Sequence, residues 1–115
     1  MIIMKRVLII DDEVDLCILL TSYLSKRNYE VLTAHTLIEG FKKLEIFFPD
    51  FLLLDNNLPD GMGWIEADNI HRKYPDINIT LISDCHISNY IKTHVLGSVN
   101  ILEKPISLID IEKYL

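Results

Sequence analysis

The 115-residue chain lacks most of the features that mark whole classes of protein. Its two cysteines, Cys17 and Cys85, stand far apart with no C-x-x-C spacing. A small secreted scaffold uses more cysteines, so reduced thiols and a cytoplasmic setting are expected. Positive charge is scarce: 11 Lys and Arg face 17 Asp and Glu, for a formal net charge of −6. A nucleic-acid surface needs a basic patch, and anionic membranes attract polybasic segments; neither partner is expected. No apolar run approaches the roughly 20 residues of a membrane span. The longest, such as Val7–Ile10 and Phe51–Leu54, are strand-sized. At the N-terminus the charges Lys5 and Arg6 follow a short apolar run, the reverse of a secretory signal. Neither G-x-G-x-x-G nor G-x-x-x-x-G-K-S/T occurs, which argues against a nucleotide fold.

Half of the residues are hydrophobic, enough for a packed core. The length suits a single domain over residues 1–115, with its final helix cut short at Leu115. Short β-rich runs alternate with helical periods. Strands are expected at Lys5–Ile10, Tyr29–Ala34, Phe51–Leu54, Ile77–Ile82 and Val99–Leu102. Leu16, Leu19, Leu20, Tyr23 and Leu24 form a helical stripe, with Asn28 suited to the left-handed position beyond it. Val14 and Ile18 are displaced from that stripe. Thr36 can cap a helix that carries Leu37, Phe41, Leu44 and Phe48 inward and closes at Pro49. Gly40, inside it, costs about 1 kcal/mol, and close packing on a sheet is the expected reason. Further helices are expected over Trp64–Tyr74, around Ile87–Leu96 ahead of Gly97, and over Ser107–Leu115. Ser107 and Asp110 stand in cap spacing. Asn56 to Gly63 is dense in turn residues.

Strands alternating with helices imply a parallel sheet covered on both faces, and ligands of such sheets bind beyond the strands' carboxyl ends. Those ends carry Asp11 and Asp12 after the first strand, Asp55 after the third, Ser83 after the fourth and Lys104 after the fifth. In the flavodoxin-like (βα)5 doubly wound order 2-1-3-4-5, the first and third strands meet at the switch point. Three carboxylates then share one crevice. A divalent cation resolves their repulsion, and Mg²⁺ prefers oxygen ligands while leaving room for water and a phosphate oxygen. Lys104 supplies a cation for a phosphate and Ser83 a hydroxyl donor. A lone Asp at a strand end is ordinarily a turn or cap residue; five such residues, in this order, point to phosphate chemistry.

These residues resemble the receiver domain of two-component response regulators from Val7 to the end of the chain. Val7-Leu8-Ile9-Ile10-Asp11-Asp12-Glu13 resembles the opening strand with its acidic pair. Leu52–Asp55 followed by Asn56–Gly63 resembles the phospho-acceptor strand and its loop, and Leu102-Glu103-Lys104-Pro105 the lysine strand, where the family usually has a cis peptide before the proline. The resemblance implies that Asp55 is phosphorylated, that Asp12 binds Mg²⁺ directly and that Asp11 holds it chiefly through water. It further implies that the main-chain carbonyl of Asn57 completes the ligands, Lys104 contacts the phosphoryl group and Ser83 moves towards it. The donor would be a phosphohistidine on a sensor histidine kinase or phosphotransfer protein, met in the family by the first helix. The chain would be no enzyme beyond its own phosphorylation and dephosphorylation.

Two positions depart from the family pattern. Asp84 stands where a small residue usually follows the switch hydroxyl, and Ile101 where an aromatic usually reports phosphorylation. Both favour the alternative of a pseudo-receiver, the same fold used for protein interaction without phosphorylation; the complete Asp11, Asp12, Asp55 and Lys104 set opposes it. A haloacid-dehalogenase-like phosphatase would need D-x-D at the acceptor, and Asn57 cannot act as its general acid. Cys85, His86 and His94 lack a standard zinc spacing.

Overall fold

A computed structural model describes residues 3–84 and 99–115. The chain runs β1 (Lys5–Ile10), α1 (Val14–Ser25), β2 (Tyr29–Ala34), α2 (Leu37–Phe47), β3 (Phe51–Asp55), β4 (Asn57–Leu58), β5 (Gly61–Met62), α3 (Gly63–Lys73), β6 (Asn78–Ser83), β7 (Asn100–Glu103) and α4 (Leu108–Glu112). The helix expected around Ile87–Leu96 lies outside the described residues, as do Cys85, His86 and His94. Five strands form one parallel sheet in the order β2-β1-β3-β6-β7. That is the expected flavodoxin-like order, with the small β4–β5 ribbon standing apart from it. The ribbon occupies the stretch read from sequence as turn.

Alternation along the strands divides the core. Leu8, Ile10, Leu52, Leu54, Ile79 and Leu81 face α2 and α3, whereas Val7, Ile9, Leu53 and Ile82 face α1 and α4. Successive strand side chains point to opposite faces, so a strand buried on both sides must be apolar throughout. Phe51–Asp55 is accordingly buried at every position.

Two expectations about helix faces need correction. Leu19 is 52 % exposed, because Cys17, Leu20 and Leu24 centre the buried stripe of α1 and Leu19 falls beyond its edge. Phe48 is 69 % exposed. It precedes Pro49, which disfavours the helical conformation, and it ends α2 in the left-handed region at φ 52°. Phe47 takes the inward place instead. Asn28 is also left-handed, as expected, and Val14 and Ile18 are exposed.

At the amino ends of the strands, Arg6 gathers several elements. Its guanidinium donates to the Phe47 carbonyl at 2.7 Å and lies 5.3 Å from that ring's centroid. Its main-chain N–H donates to Asp50 Oδ2 at 2.9 Å.

Two glycines mark close helix–sheet approaches. A Cβ at Gly40 would overlap Ile10 Cδ1 and stand 2.9 Å from Ile10 Cγ1, the packing expected from sequence. At Gly63 it would overlap the main-chain oxygen of Asp55 and stand 3.0 Å from Leu54 Cγ. Backbone cannot yield as a side chain can. Gly63→Ala should therefore cost about 1–3 kcal/mol, read as a lower urea midpoint with an unchanged denaturant slope; stability equal to wild type would contradict this packing.

Candidate functional site

Strand register brings the acids together. Ile10 pairs with Leu54, so the next residues, Asp11 and Asp55, come level at the carboxyl ends of neighbouring strands. β6 then pairs with β3, and β7 with β6. The Lys104 N–H donates to the Ser83 carbonyl at 2.9 Å, which sets Lys104 at the same rim. Carboxylate oxygens of Asp11, Asp12 and Asp55 all lie within 4.8 Å of one another. Asp11 and Asp55 are buried, while Asp12 is exposed. The Lys104 ammonium stands 3.4 Å from Asp55 Oδ1 and 3.4 Å from Glu13 Oε1.

Several groups here have unused hydrogen-bonding capacity. Asp11 Oδ1 accepts from the Glu13 N–H at 2.8 Å, but its buried Oδ2 has no partner among the described residues. The buried Ser83 Oγ likewise has none among the described residues. Asn57 is exposed; its N–H lies 3.5 Å from Asp55 Oδ1, and its side-chain Nδ2 donates to Asp84 Oδ2 at 3.5 Å. Every residue expected at the site is thus at the rim. The Lys104–Pro105 peptide is cis, and Ile101 is half-buried against the α2–α3 side of the core.

Electrostatics follow from this crowding. Burial, reinforced by the Asp11 charge, pushes the Asp55 carboxyl up to about 6 against the opposing pull of Lys104. Burial also raises Asp11, although the Glu13 N–H and Lys104 favour its ionised form. For Lys104, burial favours the neutral amine, but the carboxylates of Asp55, Asp11 and Glu13 together hold its pKa above the ordinary value. A group of clustered acids with a buried carboxylate oxygen unpartnered among the described residues is matched to a hard divalent cation, whose ligands are oxygens. The donor set fits Mg²⁺.

Three nearby residues escaped the sequence reading. Asn56 is fully buried: its N–H donates to the Ile82 carbonyl at 2.8 Å, its carbonyl accepts from Gly63, and its Oδ1 accepts from the Trp64 N–H at 3.1 Å. Glu13 reaches Lys104 across 91 positions of sequence, a contact made only by closure of the sheet. Asp60 accepts from the first N–H groups of α2. Below the acids, the Asp11 carbonyl accepts from Cys17 Sγ at 3.4 Å and from His35 Nδ1 at 2.9 Å. Burial and the acids push the Cys17 thiol up to about 11, which leaves it inert.

An all-parallel doubly wound sheet with acids at its switch point defines the class. The family model for the response regulator receiver domain matches residues 7–115, and the chain belongs to that family. Among curated relatives, the transcriptional regulatory protein KdpE of Staphylococcus aureus is 37 % identical over 79 residues, covering 69 % of this chain and 34 % of that protein. A response regulator receiver domain protein from Methanospirillum hungatei superposes with a TM-score of 0.83 at 25 % identity, over 96 % of this chain and 90 % of its own. A response regulator from Burkholderia pseudomallei, crystallised with a phosphorylated aspartic acid, calcium ion and citrate, gives 0.82 at 24 %, over 96 % and 66 %. The chain spans less than half the length of the curated relatives it matches. Among the described residues, no helix is long and apolar enough to cross a membrane.

The raised Asp55 pKa has a testable consequence for the metal-free protein. An acid whose folded pKa exceeds its unfolded value favours folding when protonated, and this advantage is lost as pH rises from 3.8 through about 6. The displacement is worth about 3 kcal/mol against the ionised fold. In chelator at pH 7.5, Asp55→Asn should melt several degrees above wild type, and the gap should close towards pH 4. A gap independent of pH would contradict the assignment.

Proposed function

We propose that this chain takes a phosphoryl group from a phosphohistidine onto Asp55, with Mg²⁺ held by Asp11, Asp12, Asp55 and the main-chain carbonyl of Asn57. The donor is a sensor histidine kinase or phosphotransfer protein, and the phosphorylated domain changes its contacts with an effector. The observation that carries this reading is the set of three carboxylates within 4.8 Å of one another, with the Lys104 ammonium 3.4 Å from Asp55. The Burkholderia neighbour, with its phosphorylated aspartic acid and calcium ion, supports it. When bound, Mg²⁺ would neutralise charge on the acids and on the phosphoryl oxygens that face them.

The residues divide the work by their chemistry. Asp55 must be ionised to attack phosphorus. Its oxygen forms the new P–O bond as the P–N bond to the donor histidine breaks, and the bonding pair remains on the imidazole nitrogen. The product is an acyl phosphate. Lys104 can exchange part of its contact with the Asp55 carboxylate for a phosphoryl oxygen, and so follow the charge. Ser83 Oγ, buried without a partner among the described residues, has an O–H that can donate to the same group.

In Mg²⁺ and acetyl phosphate, the protein should gain one hydroxylamine-labile phosphoryl group, and Asp55→Asn should gain none, since an amide is no carboxylate nucleophile. Equal labelling of Asp55→Asn would overturn the assignment. A wild type that takes no label would favour the pseudo-receiver.

Asp84 is exposed and holds its carboxylate against Asn57 at the mouth of the site. It adds negative charge where an anionic donor approaches. Asp84→Ala should therefore speed acetyl phosphate labelling, and the gain should shrink as ionic strength rises. A variant slower than wild type at every salt concentration would mean that Asp84 assists the reaction.

A further inference from the structure

We infer that Asp60 is a positioning residue, a tether that fastens the acceptor loop to α2 and so aims the Asn57 carbonyl at the cation. The inference rests on the metal reading above. The β4–β5 ribbon has two residues in each strand, paired Asn57 to Met62 and Leu58 to Gly61. An isolated ribbon of this size is not stable by itself, so its geometry depends on what holds its ends. Its base is fixed through Asn56, which bonds Ile82, Gly63 and Trp64. Its tip is held by Asp60, whose Oδ1 accepts from the Leu37 N–H at 2.8 Å and whose Oδ2 accepts from the Ile38 N–H at 3.0 Å. Beside it, a Cβ at Gly61 would stand 2.8 Å from Leu37 Cδ1, so the tip lies flush on the first turn of α2. Asn57 is strung between these two anchors.

The helix does not depend on Asp60 alone for its cap. Thr36 Oγ1 accepts from the Glu39 N–H at 3.1 Å, so one helix end has two caps from different parts of the chain. Both satisfy α2. Of the two caps, Asp60 is the one that lies in the acceptor loop and so also restrains the ribbon. The two main-chain N–H groups hold the Asp60 carboxyl below its ordinary pKa, so the tether stays ionised at neutral pH.

The pair of caps supplies the test. Mg²⁺ affinity is measured calorimetrically for wild type, Asp60→Ala, Asp60→Asn and Thr36→Ala, with thermal melts of each in chelator. Asp60→Ala should raise the Mg²⁺ Kd about tenfold, the lower end of what residues that orient metal ligands contribute. Asp60→Asn keeps one acceptor oxygen and should fall between it and wild type. Thr36→Ala should lower the melting temperature while leaving the Kd at the wild-type value. An unchanged Kd in Asp60→Ala, or equal weakening in Thr36→Ala, reduces Asp60 to a helix cap and overturns the inference. Should Asp60→Ala fail to fold, the Asp60→Asn comparison decides in its place. A wild type that binds no Mg²⁺ at millimolar concentration removes the metal reading, and the tether's role with it.

Discussion

Two buried carboxylates, Asp11 and Asp55, crowd with their exposed neighbour Asp12 within 4.8 Å of one another, and among the described residues the ammonium paired with the cluster is that of Lys104, 3.4 Å from Asp55. Like charges at ~4 Å repel by roughly 4 kcal/mol at an effective dielectric of ~20, and one cation cannot offset three acids. The fold nevertheless holds them there, because each stands at the end of an apolar strand whose register is set by core packing. Much of the site follows from this imbalance. Asp55 is a poor place for a negative charge until another cation arrives, and an orphaned oxygen on Asp11 is left to receive one. Lys104, divided between Asp55 and Glu13, remains available to a newcomer. A site built this way has little net attraction of its own and responds strongly to small changes in bound charge.

Strand order and the rim residues were legible in the sequence because they depend on short-range signals. Val7–Ile10 and Phe51–Leu54 are apolar throughout, which a strand buried on both faces requires, and each ends at an acid. Parallel strands with short loops then leave few places for those acids to go. Less legible were features decided by tertiary contact. Leu19 and Leu20 are chemically alike, and only the seating of α1 on the sheet buries one and exposes the other. Phe47 and Phe48 pose the same problem, settled by a left-handed residue before Pro49. Glu13, Asn56 and Asp60 gave no local signal, since their partners lie on other elements.

The acceptor loop shows how a short segment of turn-rich sequence becomes ordered. Asn56 is buried with its main chain and side-chain oxygen committed to β6 and α3, while Gly63 lets α3 start directly beneath the Asp55 carbonyl. Asp60 closes the far side on α2. Three elements thus hold a stretch whose own ribbon is too small to persist, and the exposed Asn57 sits in its middle. Precision at the site is borrowed from helix termini, not from the loop.

The Arg6 cluster lies at the amino ends of the strands, at the far edge of the sheet from the acids. It ties β1 to the end of α2 and to the approach of β3 through contacts that no reacting group touches. The molecule therefore keeps its two obligations apart. One rim carries charge that opposes folding, and the other carries cohesion that chemistry never disturbs. Variation could accumulate at either rim under separate selection, so a lineage could retune the charge balance at the acidic rim while recovering lost stability around Arg6.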